Sequence, residues 1–344
     1  MRAVTFHAPG QVALEDRPEP ELSERTDAVV RIDATGVCGS DLHIYHGRVR
    51  IEPGFTIGHE FVGKVVAAGD AVTRVSPGDR VLGCFHTACG TCFFCLRGAY
   101  QKCERARTFG HGAALGSLQG TQAEQALVPM ANMTLRKVPD QLSDEIALFA
   151  GDVMGTAYHA IAAGEVRPGD SVAVLGLGPV GLSAVQVALA AGAGPVIAID
   201  TVEARLGVAR ALGATPVHLT QENPRDAVLG ATDGRGVDAA IDAVGHPDAL
   251  ELAIRLARNA GTVVAVGVYA ERCELHMGLV WIKGLTLRSG QANVIGHVDQ
   301  VLGMLAAGTL DPSPLITHRM PLDEAPRAYE VYDRREALKI VLTP

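Results

Sequence analysis

A mainly β region followed by a doubly wound α/β parallel sheet is the fold class predicted by this 344-residue chain. Three observations carry that prediction. Up to about residue 128, short β-branched runs alternate with Gly and Pro turn signals; from residue 170 onward, strand-like and helix-like segments alternate strictly; and a Gly-x-Gly-x-x-Gly turn stands where the first of those later strands meets a helix. A chain of this length exceeds what one hydrophobic core usually supports, and 48% hydrophobic residues supply apolar surface for two cores. Aromatics make up only 4% while glycine contributes 39 residues, so the cores should be rich in Ala, Val and Leu, with many tight turns.

In the first region the runs AVTFHA, VALED, AVVRIDATG, EFVGKVVAAG and SPGDRVLG read as strands. Valines at 62, 65, 66, 72, 75 and 81, with Gly69-Asp70 and Pro77-Gly78-Asp79 as turns, predict a small, curled, barrel-like sheet. Residues 36–60 gather GVCGSDLHIYHG and the closing IGHE. Cys38 and His59 form the kind of thiolate and imidazole pair that takes Zn²⁺, with Glu60 and Asp41 beside them as further ligands or as acceptors behind the ligands. A catalytic zinc needs three protein ligands and an open position, so a third ligand must arrive from elsewhere, and Asp152 is the candidate. Adjacent residues of an extended segment point to opposite faces, so with His59 on the metal Glu60 is expected to face away, with exchange onto the metal left open. Taken alone, Cys38 reads more readily as a buried small hydrophobe and His59 as a satisfied core histidine; the rest of the chain reverses that reading.

Cys89-Gly-Thr-Cys92-Phe-Phe-Cys95, followed after a loop by Cys103, offers four thiols as a closed tetrahedral set within a lobe spanning residues 84–110. Four thiolates leave no open coordination position, so such a zinc can hold a loop but cannot bind substrate. The segment LSDEIALFAGDVMGTAYHAI then has helical periodicity, with Ser143, Asp144 and Glu145 as a helix start; it carries Asp152 and Thr156 across the domain boundary. Beyond it, SVAVLG, PVIAID, PVHL, VDAAIDAVG, GTVVAVGV and LTLRSG read as strands separated by helices. The first turn, Gly176-Leu-Gly178-Pro179-Val180-Gly181, lets backbone amides approach a pyrophosphate at a helix N-terminus, and Asp200 ends the next strand where ribose recognition requires an acid. A helix over residues 294–307 leads to a closing strand, KIVLTP, too short and apolar to stand alone, which is expected to return to the first domain. The expected boundaries are 1–152 with 292–344 for one domain and 153–291 for the other.

Composition excludes several function classes. A net charge of -8 without a basic patch speaks against nucleic acid and anionic membranes as partners. The N-terminus lacks the apolar core and cleavage site of a secretory signal, which implies a reducing cytoplasm, and there the crowding of five of the seven cysteines between Cys84 and Cys103 argues for metal rather than disulfides. Residues 171–199 carry no charge, yet Gly176, Gly178, Pro179, Gly181, Gly192, Gly194 and Pro195 punctuate them into strand, turn, helix, turn and strand, not a membrane span.

Taken together, GVCGSDLH, GHE, the four-cysteine lobe, GLGPVG with Asp200, and KIVLTP resemble the zinc-dependent medium-chain alcohol dehydrogenase family over essentially the whole chain. The resemblance implies a GroES-like β-barrel catalytic domain, a Rossmann NAD-binding domain and an active site in the cleft between them. It further implies Cys38 and His59 as catalytic-zinc ligands, with Asp152 standing where many members have cysteine and others a carboxylate, Glu60 as an acidic neighbour, Asp41 as the carboxylate orienting the histidine, and Ser40 with His43 as a proton relay. By the same resemblance Phe85 is a substrate-pocket wall, Thr156, Val266 and Val268 are nicotinamide contacts, and Lys339 reaches the pyrophosphate. Gly39 departs from the pattern, standing where some members carry an arginine.

The implied chemistry is hydride transfer between a primary or secondary alcohol and NAD, with two zinc ions per chain. Zinc favours ionisation of the bound alcohol, and Ser40 passes the proton by way of the cofactor ribose to His43. A polyol or amino-alcohol dehydrogenase and a non-catalytic NAD-binding regulator are the alternatives. Asp200 favours NAD over NADP, with Arg205, one helical turn on, as the group that could instead meet a 2′-phosphate. A homo-oligomer, tetramer over dimer, is expected from the family and from the apolar edge strands GTVVAVGV to LTLRSG.

Overall fold

A computed structural model of the chain describes residues 1–269 and 272–344. It divides into two compact units, Met1–Gly155 with Asn293–Pro344, and Thr156–Ala292. The first unit is built around the strand Ala28–Val37, which pairs antiparallel with Phe61–Ala68 along one edge. Its other edge takes two partners in succession, Gln125–Val128 opposite residues 28–31 and Lys339–Thr343 opposite residues 35–37. Register shifts between Val29 and Val30 and between Ile32 and Ala34 bend this strand, and with it the seven-stranded sheet. A three-stranded sheet of Gln11–Asp16, Arg2–Ala8 and Phe55–Thr56 stands beside it. The closing strand thus pairs with Ala28–Val37 and makes this unit discontinuous in sequence. Its burial follows its composition: Ile340, Val341 and Leu342 are all in the core, where each such side chain contributes roughly 1.5–3 kcal/mol relative to exposure.

The helical periodicity of residues 142–161 does not produce one helix. The α-helix Asp144–Leu148, capped by Ser143 Oγ accepting from the Ile146 amide at 3.3 Å, passes into a 3₁₀ turn, Phe149–Gly151, and stops. Asp152, at φ -149° and ψ -82°, breaks the run before the helix Val153–Ala163 begins.

The second unit holds a six-stranded parallel sheet in the order Thr215–His218, Val196–Asp200, Val172–Leu175, Val237–Asp242, Ala257–Ala265, Thr286–Ser289. Numbered along the chain this is 3-2-1-4-5-6, with its topological switch between Val172–Leu175 and Val237–Asp242. All four residues of the central strand Val172–Leu175 are buried, as a strand covered on both faces requires. The uncharged run 171–199 resolves into that strand, the helix Pro179–Ala190 and the strand Val196–Asp200, and among the described residues no single helix is long and apolar enough to cross a membrane. The fifth strand begins earlier than GTVVAVGV and ends at Ala265, which leaves Val266 and Val268 in the loop after it.

Two glycines of the turn after the first strand have opposite reasons to exist. At Gly181 a Cβ would collide with the carbonyl of Gly176, so this glycine lets the helix approach the strand. At Gly178 a Cβ would meet nothing within 4 Å, and φ is an ordinary -67°, so the fold itself does not require glycine there. Gly181→Ala should therefore destabilise the protein by about 1–3 kcal/mol, as overpacking does. Gly178→Ala should leave the melting temperature unchanged or slightly raised but weaken dinucleotide binding, which calorimetry and a cofactor titration on the two variants will separate.

Candidate functional site

Cys38, His59, Glu60 and Asp152 come together in the first unit, each offering a ligand atom within 4.8 Å of the others. The local fold explains how. Cys38 is the N-cap of the short helix Gly39–Tyr45, and its amide donates to Asp41 Oδ2 at 2.9 Å, which fixes the turn that presents the thiol. His59 lies in the non-strand segment between Phe55–Thr56 and Phe61–Ala68, after Gly58 at φ +90°, a conformation that glycine adopts without strain. Asp152 reaches the same point because the helical run is broken at its own backbone.

Asp152 Oδ2 lies 3.3 Å from Cys38 Sγ and 3.2 Å from His59 Nε2, and Ser40 Oγ is 3.3 Å from that same nitrogen. On the far side of the ring, His59 Nδ1 is 3.2 Å from Asp41 Oδ1. One imidazole nitrogen thus faces the ligand cluster while the other faces a carboxylate, the arrangement that sets a metal-binding histidine. Burial opposes charge on His59, but Asp41 and Asp152 outweigh it and raise its pKa well above the usual value. The Cys38 thiol is pushed up, first by burial and then by the charge of Asp152. Burial also opposes ionisation of Asp152, yet its contacts with His59 and Glu60 hold it below the ordinary carboxylate range.

Glu60 departs from the expectation that it faces away. It contributes one of the four clustered ligand atoms, because residues 57–60 are not an extended strand and simple alternation does not apply to them. Its Oε2 is paired with Lys339 Nζ, while Oε1 is buried without a hydrogen-bond partner. Burial raises the Glu60 carboxyl to about 7 despite the charge of Lys339. Lys339 itself does not extend toward a pyrophosphate: it is 0% exposed, and its amine is taken up by Glu60 and, at 3.2 Å, by the Val37 carbonyl.

The chemistry of this donor set fits a zinc ion. A thiol, an imidazole and a carboxylate converge, a further carboxylate oxygen is left unpartnered, and a divalent cation would offset the burial and the Asp152 charge that raise the thiol pKa. The second cluster fits a different kind of zinc. Cys89, Cys92, Cys95 and Cys103 converge within 4.8 Å as free thiols, with Cys89 Sγ and Cys95 Sγ 3.9 Å apart. Amides of Cys89, Thr91 and Arg105 are directed at the sulfurs at 3.2–3.4 Å, as they are at thiolates bound to metal.

Around the first cluster lie Phe85 and His43, which the sequence singles out, and His86 and His111, which it does not. Phe85, expected as a pocket wall, is buried with its ring 6.3 Å from that of His59. The His111 ring packs 5.2 Å from His59, and His111 Nδ1 donates to the Phe109 carbonyl at 2.8 Å. His86, 1% exposed, packs against Phe85 with Nε2 lacking a partner, and burial lowers its pKa to about 4. The glycines flanking His111 were the only sequence signal for it; His86 had none. His43 lies three residues after Ser40 on the helix Gly39–Tyr45, half-buried, with Nδ1 unpartnered and its pKa lowered first by burial.

In the second unit the helix Pro179–Ala190 opens directly after Gly178, with Pro179 and Val180 in its first turn. The space left open at Gly178 beside that helix N-terminus fits the pyrophosphate of a dinucleotide. Asp200 closes the neighbouring strand with its carboxylate already accepting from three amides, Leu177 at 2.6 Å, Thr201 at 2.7 Å and Val202 at 2.9 Å. A carboxylate has about four acceptor sites, so capacity for a ribose hydroxyl remains. Arg205 is 3.8 Å from Asp200 Oδ2. Thr156 lies on the helix Val153–Ala163, and Val268 is 51% exposed in the loop after the fifth strand.

Comparison with known proteins agrees with these observations. Residues 24–140 match the family described as alcohol dehydrogenase GroES-like domain, and residues 179–306 match zinc-binding dehydrogenase. The chain is 33% identical to the zinc-type alcohol dehydrogenase-like protein AdhB of Bacillus subtilis strain 168, covering 100% of both chains. It is 34% identical to the L-threonine 3-dehydrogenase of Bacillus licheniformis, covering 95% of this chain and 94% of that one. Among solved structures, the alcohol dehydrogenase TADH from Thermus sp. ATN1 superposes with a TM-score of 0.97 at 47% identity, covering 100% of this chain and 99% of that one. Two others, each 29% identical with 100% of this chain and 99% of the other covered, were solved with cofactor: a zinc-binding dehydrogenase from Sinorhizobium meliloti 1021 bound to NADP (TM-score 0.88) and RspB from Escherichia coli CFT073 with NADH (TM-score 0.89).

Elemental analysis of the purified protein should find two zinc ions per chain. Asp152→Ala should lower that figure toward one while the melting temperature changes little. Cys92→Ser should destabilise the fold, because a closed thiolate site contributes folding energy directly. Full occupancy of both sites in Asp152→Ala would remove this residue from the ligand set.

Proposed function

This chain belongs to the zinc-dependent medium-chain alcohol dehydrogenase family, and from that premise we propose that it transfers hydride between a primary or secondary alcohol and NAD, giving an aldehyde or ketone. It is an enzyme, and its substrate is a small molecule. The observation that carries the proposal is the buried, mixed set of Cys38, His59, Glu60 and Asp152, in which Glu60 is paired with Lys339; with zinc on Cys38, His59 and Asp152 alone, a coordination position is left for substrate, unlike in the four-cysteine lobe. We assign the catalytic role to the unit bearing that set and the nucleotide to the parallel-sheet unit.

Zinc, when bound, supplies a Lewis acid that eases ionisation of an alcohol, and the nicotinamide supplies the hydride acceptor. The chain's own residues do the rest. Ser40 Oγ, 3.3 Å from His59 Nε2, would accept the alcohol proton while releasing its own hydroxyl proton onward by way of the cofactor ribose. His43, one turn further along the same helix and kept neutral by burial, is the next acceptor. Phe85 closes the wall beside His59 and excludes water from the reacting carbon.

NAD is favoured over NADP because the carboxylate of Asp200 accepts from a 2′-hydroxyl and repels a 2′-phosphate, while Arg205 lies within ion-pair distance of that same carboxylate. A polyol or amino-alcohol substrate is the second reading. The L-threonine 3-dehydrogenase relative supports it, as do the imidazoles of His86 and His111 around the ligand cluster, polar groups that a simple alcohol would not need. A homotetramer is supported by the edge strand Thr286–Ser289, exposed throughout, together with Trp281 and Ile282, which are 78% and 69% exposed.

A panel of simple alcohols, diols and amino alcohols with NAD⁺ and NADP⁺, followed by nicotinamide absorbance, tests the proposal. NAD should give the higher kcat/KM, and Ser40→Ala should lower kcat by roughly 10²-fold or more while both zinc ions are retained, as loss of a proton-transfer group does. Equal kcat/KM for the two cofactors would remove the role given to Asp200; no turnover of any alcohol by fully zinc-loaded protein would overturn the function itself. A monomeric mass by light scattering at micromolar concentration would refute the oligomer.

A further inference from the structure

Behind His59 a chain of polar groups continues inward across separate segments of the first unit. Asp41, whose Oδ1 faces His59 Nδ1, accepts at Oδ2 from the Cys38 amide at 2.9 Å and from Gln122 Nε2 at 3.4 Å. The same Nε2 donates to the Gly36 carbonyl at 2.9 Å. Gln122 Oε1 accepts from the Tyr329 hydroxyl at 2.9 Å, a bond between residues 207 apart in sequence. Asp41, Gln122 and Tyr329 are each 0% exposed. The donors and acceptors admit one assignment: the Gln122 amide nitrogen faces a carbonyl and a carboxylate, and its oxygen faces a hydroxyl. Burial above all raises the Tyr329 pKa, so the phenol stays protonated and donates.

The backbone is shaped to admit this chain. Gly58, immediately before His59, has φ +90°, and a Cβ on it would strike the Gln122 side chain. Gln122 N in turn donates to the Ile57 carbonyl at 3.0 Å, and Thr121 N to the Gly58 carbonyl at 3.0 Å, so the segment carrying Gln122 is bonded directly to the segment carrying His59. Tyr329 is delivered by the helix Ala325–Asp333, far along the chain from either segment.

We propose that Gln122 and Tyr329 are positioning residues for the metal centre: they fix the Asp41 carboxylate, and through it the tautomer and ring orientation of His59, and so set the affinity of the Cys38, His59 and Asp152 site for zinc. The inference rests on the reading of those three residues as ligands. His59 Nδ1 lies 3.2 Å from Asp41 Oδ1, at ion-pair distance although neither atom has a hydrogen-bond partner; a carboxylate that draws the proton to Nδ1 leaves the lone pair on Nε2, the nitrogen that faces Cys38 and Asp152. Gln122 restrains Asp41 Oδ2; the Gly36 carbonyl and that carboxylate, which only accept, exclude the flipped amide, and Tyr329 anchors the amide oxygen.

The test uses full-length protein, with zinc affinity measured by chelator competition and the visible spectrum recorded after cobalt(II) replaces the zinc of this site. Gln122→Leu should weaken the site by about 10-fold or more and Tyr329→Phe by a few-fold, within the range known when partners of metal-binding histidines are removed. Both variants should shift the cobalt absorption bands and keep the zinc of the cysteine lobe. Tyr45→Phe is the control: its ring packs 5.4 Å from that of Tyr329 in the same core, outside the polar chain, and affinity should not change. Tyr329→Phe removes one oxygen only and keeps the test decisive if Gln122→Leu does not fold. Unchanged affinity and cobalt spectrum in folded Tyr329→Phe and Gln122→Leu, or a lowered melting temperature as their sole effect, would overturn the inference. Wild-type protein that holds zinc in the cysteine lobe alone would instead overturn the ligand reading beneath it, and the inference with it.

Discussion

Ionisable groups removed from water must be neutralised where they stand, and the first unit is arranged around that constraint. Asp41, Glu60, Asp152, His59 and Lys339 are all buried within one small volume. Each unpaired ion there would cost several kcal/mol. Lys339 answers Glu60, and His59 stands between Asp41 and Asp152. The backbone makes room for this compensation: a Cβ on Gly36 would collide with the Glu60 carboxylate and crowd the Lys339 side chain. Lys339 arrives on the closing strand, whose next residues, Ile340 and Val341, pair with Val37 and Gly36. Closing the sheet and balancing the buried charge are therefore one event, and removing the closing strand would leave Glu60 buried beside Asp152 without its cation.

The two cysteine-containing clusters differ in what surrounds their sulfurs. In the lobe, backbone amides point at the thiols, and the set is closed. At Cys38 the neighbours are side chains of several types, each with a further partner behind it, so the site can be tuned residue by residue. The parallel-sheet unit applies a simpler rule. Gly178 leaves open space beside a helix N-terminus, which the proposed function gives to the dinucleotide, while Gly181 serves packing, although the two glycines belong to one sequence motif.

Much of this was legible in the sequence because the signals are local. Four cysteines in a short stretch, a glycine-rich turn between a strand and a helix, and alternating strand and helix periods each reflect interactions among residues near in the chain. Asp152 was picked out as a third ligand by the needs of zinc, but the break in the helix that lets it reach the cluster could not be read from a pattern periodic on both sides of it. Alternation predicted that Glu60 would turn away; it fails where residues 57–60 leave strand geometry at Gly58. Lys339 carries no local sign that its partner is a carboxylate 279 residues away rather than a phosphate.

The sequence alone thus determined the classes of element, the two thiol-bearing sets and the nucleotide turn, because residue type and short spacing suffice to specify each of them. Only the tertiary structure decided which polar side chain faces which. Gln122 and Tyr329 are unremarkable in sequence, and His111 nearly so; they acquire meaning because segments distant in the chain bring them within hydrogen-bond or ring-packing distance of one another or of Asp41 and His59. Contacts of that range are fixed by packing of the whole unit, and no window of sequence contains both partners.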